Sequence, residues 1–192
     1  LTDEFDLHEV NVAIHFAGRT DRSLFRELLI LNDLEPTEIN HKRLADSYAK
    51  RLPSVLSQRG GTVLPGVRRL LDLLSGHADT LPYIMTGNLR KTATHKLSHF
   101  GLSHYFHGVF GGDHDLERVS LARRTLADLC DRHGKQQLGE LIVIGDTPQD
   151  IRCGHAIGAK VVAVCTGAYD RPTLEAENPS AVCDDFADVN SI

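Results

Sequence analysis

Short apolar runs alternating with amphipathic helical stretches predict an α/β protein: a doubly wound parallel sheet with a small helical cap. Two observations carry that expectation. Residues 64–192 alternate strand-like and helix-like segments, and each strand-like run stops at a turn of glycine and polar residues: Thr86-Gly87-Asn88, Gly111-Gly112-Asp113, Gly145-Asp146 and Thr166-Gly167. Residues 1–62 carry helical stripes and no clear strand, so they read as a module added to the sheet.

Within that module, Leu24, Phe25, Leu28, Leu29 and Leu31 form one stripe, and Leu44, Tyr48, Leu52 and Leu56 form another. Gly60-Gly61-Thr62 joins it to the remainder, which divides the chain into a cap of 1–62 and a core of 63–192. Pro65 then opens a helix in which Val67, Leu70, Leu71 and Leu74 fall on one face. Leu81–Met85 reads as a strand. A helix from about 90 to 100 follows, with Gly101 at its C′ position, and then a short strand over 108–110. The next helix spans about 116–132. Leu141-Ile142-Val143-Ile144 is a continuous apolar run with three β-branched residues, the pattern of a strand buried on both faces. A helix over about 149–157, a stop at Gly158 and a strand over 161–164 complete the series.

Net charge is −5 with an isoelectric point near 6.1, and the basic residues are dispersed, so neither nucleic acid nor an anionic membrane is an expected partner. No apolar stretch approaches the roughly 20 residues of a spanning helix, and no signal-peptide pattern is present. A cytoplasmic protein is expected. Cys130, Cys153, Cys165 and Cys183 are widely spaced with no C-x-x-C, which points to reduced, structural thiols. His95 and His99 stand at i, i+4, but without flanking ligands they read, with His104, His107 and His114, as surface histidines.

Strands of a parallel sheet all point their C-termini one way, so the three polar strand ends at 86–88, 112–113 and 146–150 converge on one edge. A threonine hydroxyl with the backbone N–H groups after it suits an anionic oxygen. A nearby cation such as Arg118 neutralises it, and the carboxylates Asp146 and Asp150 suit a hard cation. Asp146 or Thr147 also reads as a plain helix N-cap with Pro148 in the first turn, and both roles are compatible.

Met85-Thr86-Gly87-Asn88, with Lys91-Thr92-Ala93 after it, and Gly145-Asp146-Thr147-Pro148-Gln149-Asp150 resemble the second and fourth motifs of the haloacid dehalogenase-like (HAD) superfamily, in particular its phosphoglycolate-phosphatase-like members. The resemblance implies a HAD-like core and a Mg²⁺-dependent phosphatase of a small phosphorylated metabolite. It implies that Thr86, Gly87 and Asn88 bind the phosphoryl group, that Asp146 and Asp150 hold Mg²⁺, and that a basic residue of a third motif neutralises charge. Arg118 matches that motif best, with Arg123 and Arg124 on the same helix as alternatives. Gly18-Arg19-Thr20-Asp21-Arg22 resembles the start of the family's cap. Arg19, Arg22, Arg43 and Arg51 are candidates for gripping a second carboxylate on the substrate, or are solvated surface.

The family's first motif, D-x-D-x-T, supplies the nucleophilic aspartate, and no stretch here reproduces it. Asp3-Glu4-Phe5-Asp6 has the wrong spacing and no apolar strand before it. The expectation is that a segment preceding Leu1 carries the motif, because neighbours of a lost central strand would expose apolar faces and unpaired edges. The alternative is a non-catalytic module that keeps the phosphate and Mg²⁺ site. A receiver domain has no place for the cap, and no G-x-G-x-x-G supports a dinucleotide fold. Oligomeric state is open.

Overall fold

The computed structural model describes residues 1–187. Helices dominate the first part. A one-turn α1 (Thr2–Phe5) precedes α2 (Asp21–Leu31) and the long α3 (Glu38–Arg59), and α2 and α3 each begin at a threonine N-cap, Thr20 and Thr37, whose hydroxyl accepts a backbone N–H three residues on. Their apolar stripes meet: Phe25, Leu29 and Leu44 are buried together with Leu89, which follows the first strand, while Leu31 lies 37% exposed at the helix end. Leu89 thus ties the helical part to the sheet edge.

The remainder runs α4 (Val67–Ser75), β1 (Ile84–Thr86), α5 (Arg90–His99), β2 (Val109–Gly111), α6 (Arg118–His133), β3 (Ile142–Gly145), α7 (Pro148–Ala156), β4 (Lys160–Val164), α8 (Arg171–Glu175) and β5 (Ala181–Cys183). Every strand pair is parallel, with β1 on β2 in one sheet and β3-β4-β5 in the other. Each adjacent parallel pair is joined by a helical crossover, as parallel pairing requires. The helix over 90–99 stops where expected. Gly101 takes φ +66°, and Leu102 N–H returns to Leu97 C=O at 2.8 Å, a left-handed exit that suits glycine.

Three features differ from expectation. The strand at 142–145 is not buried on both faces: Ile142 is 56% and Ile144 43% exposed, whereas Val143 is half-buried against Ile151, Val161, Ala163 and Leu174. Its free edge and outer face meet no other strand among the described residues. The first strand is centred on 84–86 and includes Thr86. The short α8 and β5 are additions to the expected elements: Ala181–Cys183 has only three residues and no glycine turn after it of the kind that marks the other strands. All four cysteines are free thiols.

Candidate active site

The loop leaving β1 is held from several sides. Thr86 Oγ1 accepts the Asn88 N–H at 3.2 Å. The Asn88 carboxamide donates to Asp21 at 3.3 Å and accepts from Lys96 Nζ at 2.7 Å. Asp21, at the first position of α2, also accepts the Leu89 N–H at 2.7 Å and donates its own N–H to Gly87 C=O at 2.7 Å. From the end of β2, Gly112 N–H reaches Asn88 C=O at 2.8 Å, and Asp113 accepts the Arg90 N–H at 2.8 Å. Helix α5 has no side-chain cap of its own, so Asp21 and Asp113 together satisfy N–H groups that its start leaves unpaired.

Arg118 opens α6 and forms an ion pair with Asp150, both side chains being nearly buried at 13% and 12% exposure. A Cβ on Gly87 would come within 3.2 Å of Arg118 Nη1, so one guanidinium reaches from the end of β1 to the start of α7 and bridges the ends of the two sheets. Arg118 Nε is buried with no hydrogen-bond partner among the described residues. Arg124 instead pairs with Asp115 at 2.6 Å and donates to Gly111 C=O at 2.8 Å, which anchors β2, and Arg123 is exposed.

Asp146 and Asp150 follow β3. Asp150 belongs to a capping box on α7: its N–H donates to Thr147 Oγ1 at 3.1 Å, and its carboxylate accepts the Thr147 N–H at 3.2 Å and hydroxyl at 2.8 Å. Its other oxygen takes Arg118. Asp146 lies against Gly167, where any Cβ would collide with its carboxylate. Burial, and next the Asp150 charge, push the Asp146 carboxyl above the usual carboxylate range, with its own backbone N–H and Arg118 pulling the other way. A carboxylate raised in this way is short of positive charge. The pair offers hard oxygen donors of the kind a divalent cation takes, with Asp146 the freer of the two. Among the described residues no group of three or more His, Cys, Asp or Glu could hold a metal, so this pair would supply only part of a coordination shell.

A cavity of about 300 Å³ opens beside Arg118, lined by Gly18, Arg19, Ser23 and Gln149 among others. Arg19 stands in its wall with its charge shared with Glu27 at 2.5 Å. Of the other candidate arginines, Arg22 pairs with Glu38 and donates to Asp113 C=O at 3.4 Å, whereas Arg43 is engaged with Glu4 C=O and the Phe5 ring and Arg51 with Asp3. Sequence reading missed Asp21 and Lys96 as parts of this assembly. Thr20-Asp21 gives only a helix-start signal, and that Asp21 ends up 5% exposed against the β1 loop depends on packing between distant segments.

Comparison with known proteins agrees with this architecture. A family model described as haloacid dehalogenase-like hydrolase matches residues 3–164. A phosphoglycolate phosphatase of Haemophilus influenzae is 30% identical over 128 residues, covering 67% of this chain and 56% of that protein. One of Chromobacterium violaceum is 35% identical over 117 residues, covering 60% of this chain and 51% of that protein. The chain thus spans little more than half the length of these two relatives. A solved structure of a hydrolase from Pseudomonas syringae shares the fold, with a TM-score of 0.66 over 91% of this chain and 78% of that one at 22% identity. No helix among the described residues is long and apolar enough to cross a membrane. With a family match over most of its length and that family's fold beneath it, the chain belongs to the haloacid dehalogenase-like hydrolases.

Proposed function

We propose that the protein is a Mg²⁺-dependent phosphatase of a small phosphorylated metabolite of the phosphoglycolate kind, working through an aspartyl-phosphate. The observation that carries this reading is Arg118, a nearly buried guanidinium that spans the Thr86-Gly87 strand end and the Asp146–Asp150 pair. Arg118 brings the candidate anion-binding and cation-binding groups together at the strand ends of the two sheets, and the phosphoglycolate phosphatases at 30% and 35% identity support the substrate class.

In this reading residues 1–62 cap a core of 63–192. Chain order across the two sheets is β2-β1 and β3-β4-β5, so the connection reverses direction between β1 and β3, where an α/β sheet places its ligand crevice. The free edges of β1 and β3 and the exposed Ile142 and Ile144 suit a further parallel strand there, one that would bring the nucleophilic aspartate of a D-x-D segment between Thr86 and Asp146.

The Thr86 hydroxyl, the Gly87 N–H and Arg118 bind and orient the phosphoryl oxygens and stabilise their charge as the ester bond breaks. The aspartate oxygen bonds to phosphorus as the ester oxygen leaves with a proton from an acid, and water then cleaves the acyl phosphate and frees the carboxylate. Asp146, with Asp150, would hold the cation, which supplies the positive charge that lets two anions meet. Asn88 contributes through its backbone and by fixing the loop. Arg19 lines the cavity beside Arg118 and in this reading faces the substrate's leaving group.

The test is phosphate release from phosphoglycolate by the full-length protein with and without Mg²⁺. Release that needs Mg²⁺ and collapses in Asp146→Asn, with the fold intact by circular dichroism, is the expected result. A full-length wild-type protein that binds inorganic phosphate and Mg²⁺ yet releases nothing from any phosphomonoester would instead mark a non-catalytic module.

A further inference from the structure

Asp21 is a buried carboxylate that the proposed chemistry does not use. Its 5% exposure places it between α2 and the β1 loop, where it makes three of that loop's hydrogen bonds, to Gly87, Asn88 and Leu89. The Asn88 carboxamide is polarised between two charges, its NH₂ on Asp21 and its oxygen on Lys96. That order admits a single amide orientation, because a flipped Asn88 would set its NH₂ against the ammonium and its oxygen against the carboxylate. Burial is the first cause of shift for both charges, raising the Asp21 carboxyl and lowering the Lys96 ammonium. Lys96 is half-buried and Asp21 buried, so the pair is partly desolvated, which favours the arrangement in which Asn88 bonds both charges.

Thr86 and Gly87 lie directly beside this relay. Asn88 N–H fixes the Thr86 oxygen at 3.2 Å, and Gly87 C=O is pinned by the Asp21 N–H. Asp21 and Asp113 also occupy the Leu89 and Arg90 N–H groups at the start of α5, which leaves the Thr86-Gly87 side of the loop as the place for a bound anion.

We propose that Asp21 is a positioning residue of the phosphoryl-binding loop: through Asn88 and Lys96 it holds Thr86 and Gly87 in the anion-binding conformation and couples the first cap helix to them. This rests on the reading of Thr86 and Gly87 as phosphoryl-binding groups. Since α2 and the loop share these bonds, a displacement of the cap start relative to β1 alters the cradle directly, without any contact between the cap and the anion.

The test uses three variants of the full-length protein, read by inorganic phosphate titration and by amide hydrogen exchange at Asn88 and Leu89. Asp21→Asn keeps the shape but leaves one acceptor oxygen for two donors, the Asn88 NH₂ and the Leu89 N–H, so its own NH₂ must face one of them. With Lys96 holding the Asn88 oxygen, no orientation of the two amides keeps both of those bonds. We expect phosphate affinity to fall roughly 10-fold and exchange at both amides to accelerate by a similar factor, the scale of one or two lost hydrogen bonds. Lys96→Met alone measures the loss of the ammonium's charge. In Asp21→Asn/Lys96→Met the Asn88 amide is free to flip and pair with Asn at position 21, so affinity and protection should recover toward the Lys96→Met level. A residue needed only to fill space would give no such recovery.

Unchanged exchange in Asp21→Asn, or a double variant no better than the single, overturns the proposal. If the single variant does not fold, a double variant that folds and binds phosphate supports it, and one that also fails to fold overturns it. Failure of the wild type to bind phosphate is read separately and sinks the site assignment itself.

Discussion

Gly87 leaves no room for a side chain. A Cβ there would collide with the Arg19 carbonyl and crowd Arg118, so both the backbone before α2 and the Arg118 guanidinium approach the loop only because this residue is glycine. Gly87→Ala should cost about 2 kcal/mol of stability through the forced backbone shift, checked by denaturant melts. It should also weaken phosphate binding more than Thr86→Val does. Under the proposed mechanism, Thr86→Val removes one hydroxyl from the phosphoryl cradle and should lower kcat on the order of 10²-fold with a smaller change in KM, measured by steady-state phosphate release. A KM effect with kcat unchanged would mean that Thr86 holds the ground state only.

At the scale of the element, helix α7 shows how one short segment serves two purposes. Thr147 and Asp150 close a reciprocal capping box with Pro148 in the first turn, and the same Asp150 carboxylate receives Arg118. Capping and site geometry therefore cannot be separated: the box fixes the Asp150 rotamer, and that rotamer fixes where Arg118 points. Thr147→Ala should cost about 1 kcal/mol of stability, the usual loss for an N-cap, read by thermal or urea melts. It should also lower kcat, because Asp150 loses the hydroxyl and Arg118 loses a fixed partner. A stability loss with kinetics unchanged would show that Arg118 orients Asp150 by itself.

Across the whole molecule, charge at the proposed cation site sets stability against function. The Asp146 carboxyl is raised, so the folded chain binds its proton more tightly than the unfolded chain does, and stability falls as pH climbs from the ordinary carboxylate value of 3.8 through the raised value. Above that window the cost is constant. Metal-free Asp146→Asn should therefore be more stable than wild type at neutral pH, with the difference vanishing near pH 3 and below, as followed by melts across pH. Bound cation reverses the balance. Mg²⁺ at 100 times its dissociation constant should stabilise the wild-type full-length protein by about 2.7 kcal/mol and the variant far less. Equal responses of the two proteins would remove Asp146 from the metal site.

Residue order alone determined the α/β alternation, the parallel sheet and the helical N-terminal part, because those depend on local periodicity and turn chemistry. The strand-like runs at 81–85 and 141–144, the stop at Gly101 and the helix start at Thr147-Pro148 are written in adjacent residues, although the observed strands are displaced to 84–86 and 142–145. Sequence also singled out the groups at the strand ends, since a parallel sheet brings its C-terminal ends together wherever they lie in the chain. What only the tertiary structure decided is how those ends are joined: that Arg118 and not Arg124 reaches Asp150, that Ile142 and Ile144 face outward, and that Asp21 is buried against residues 67 and 68 positions away. Such contacts carry no local signature. A carboxylate at a helix start looks the same in sequence whether it faces water or a loop 67 residues on, and only packing separates the two.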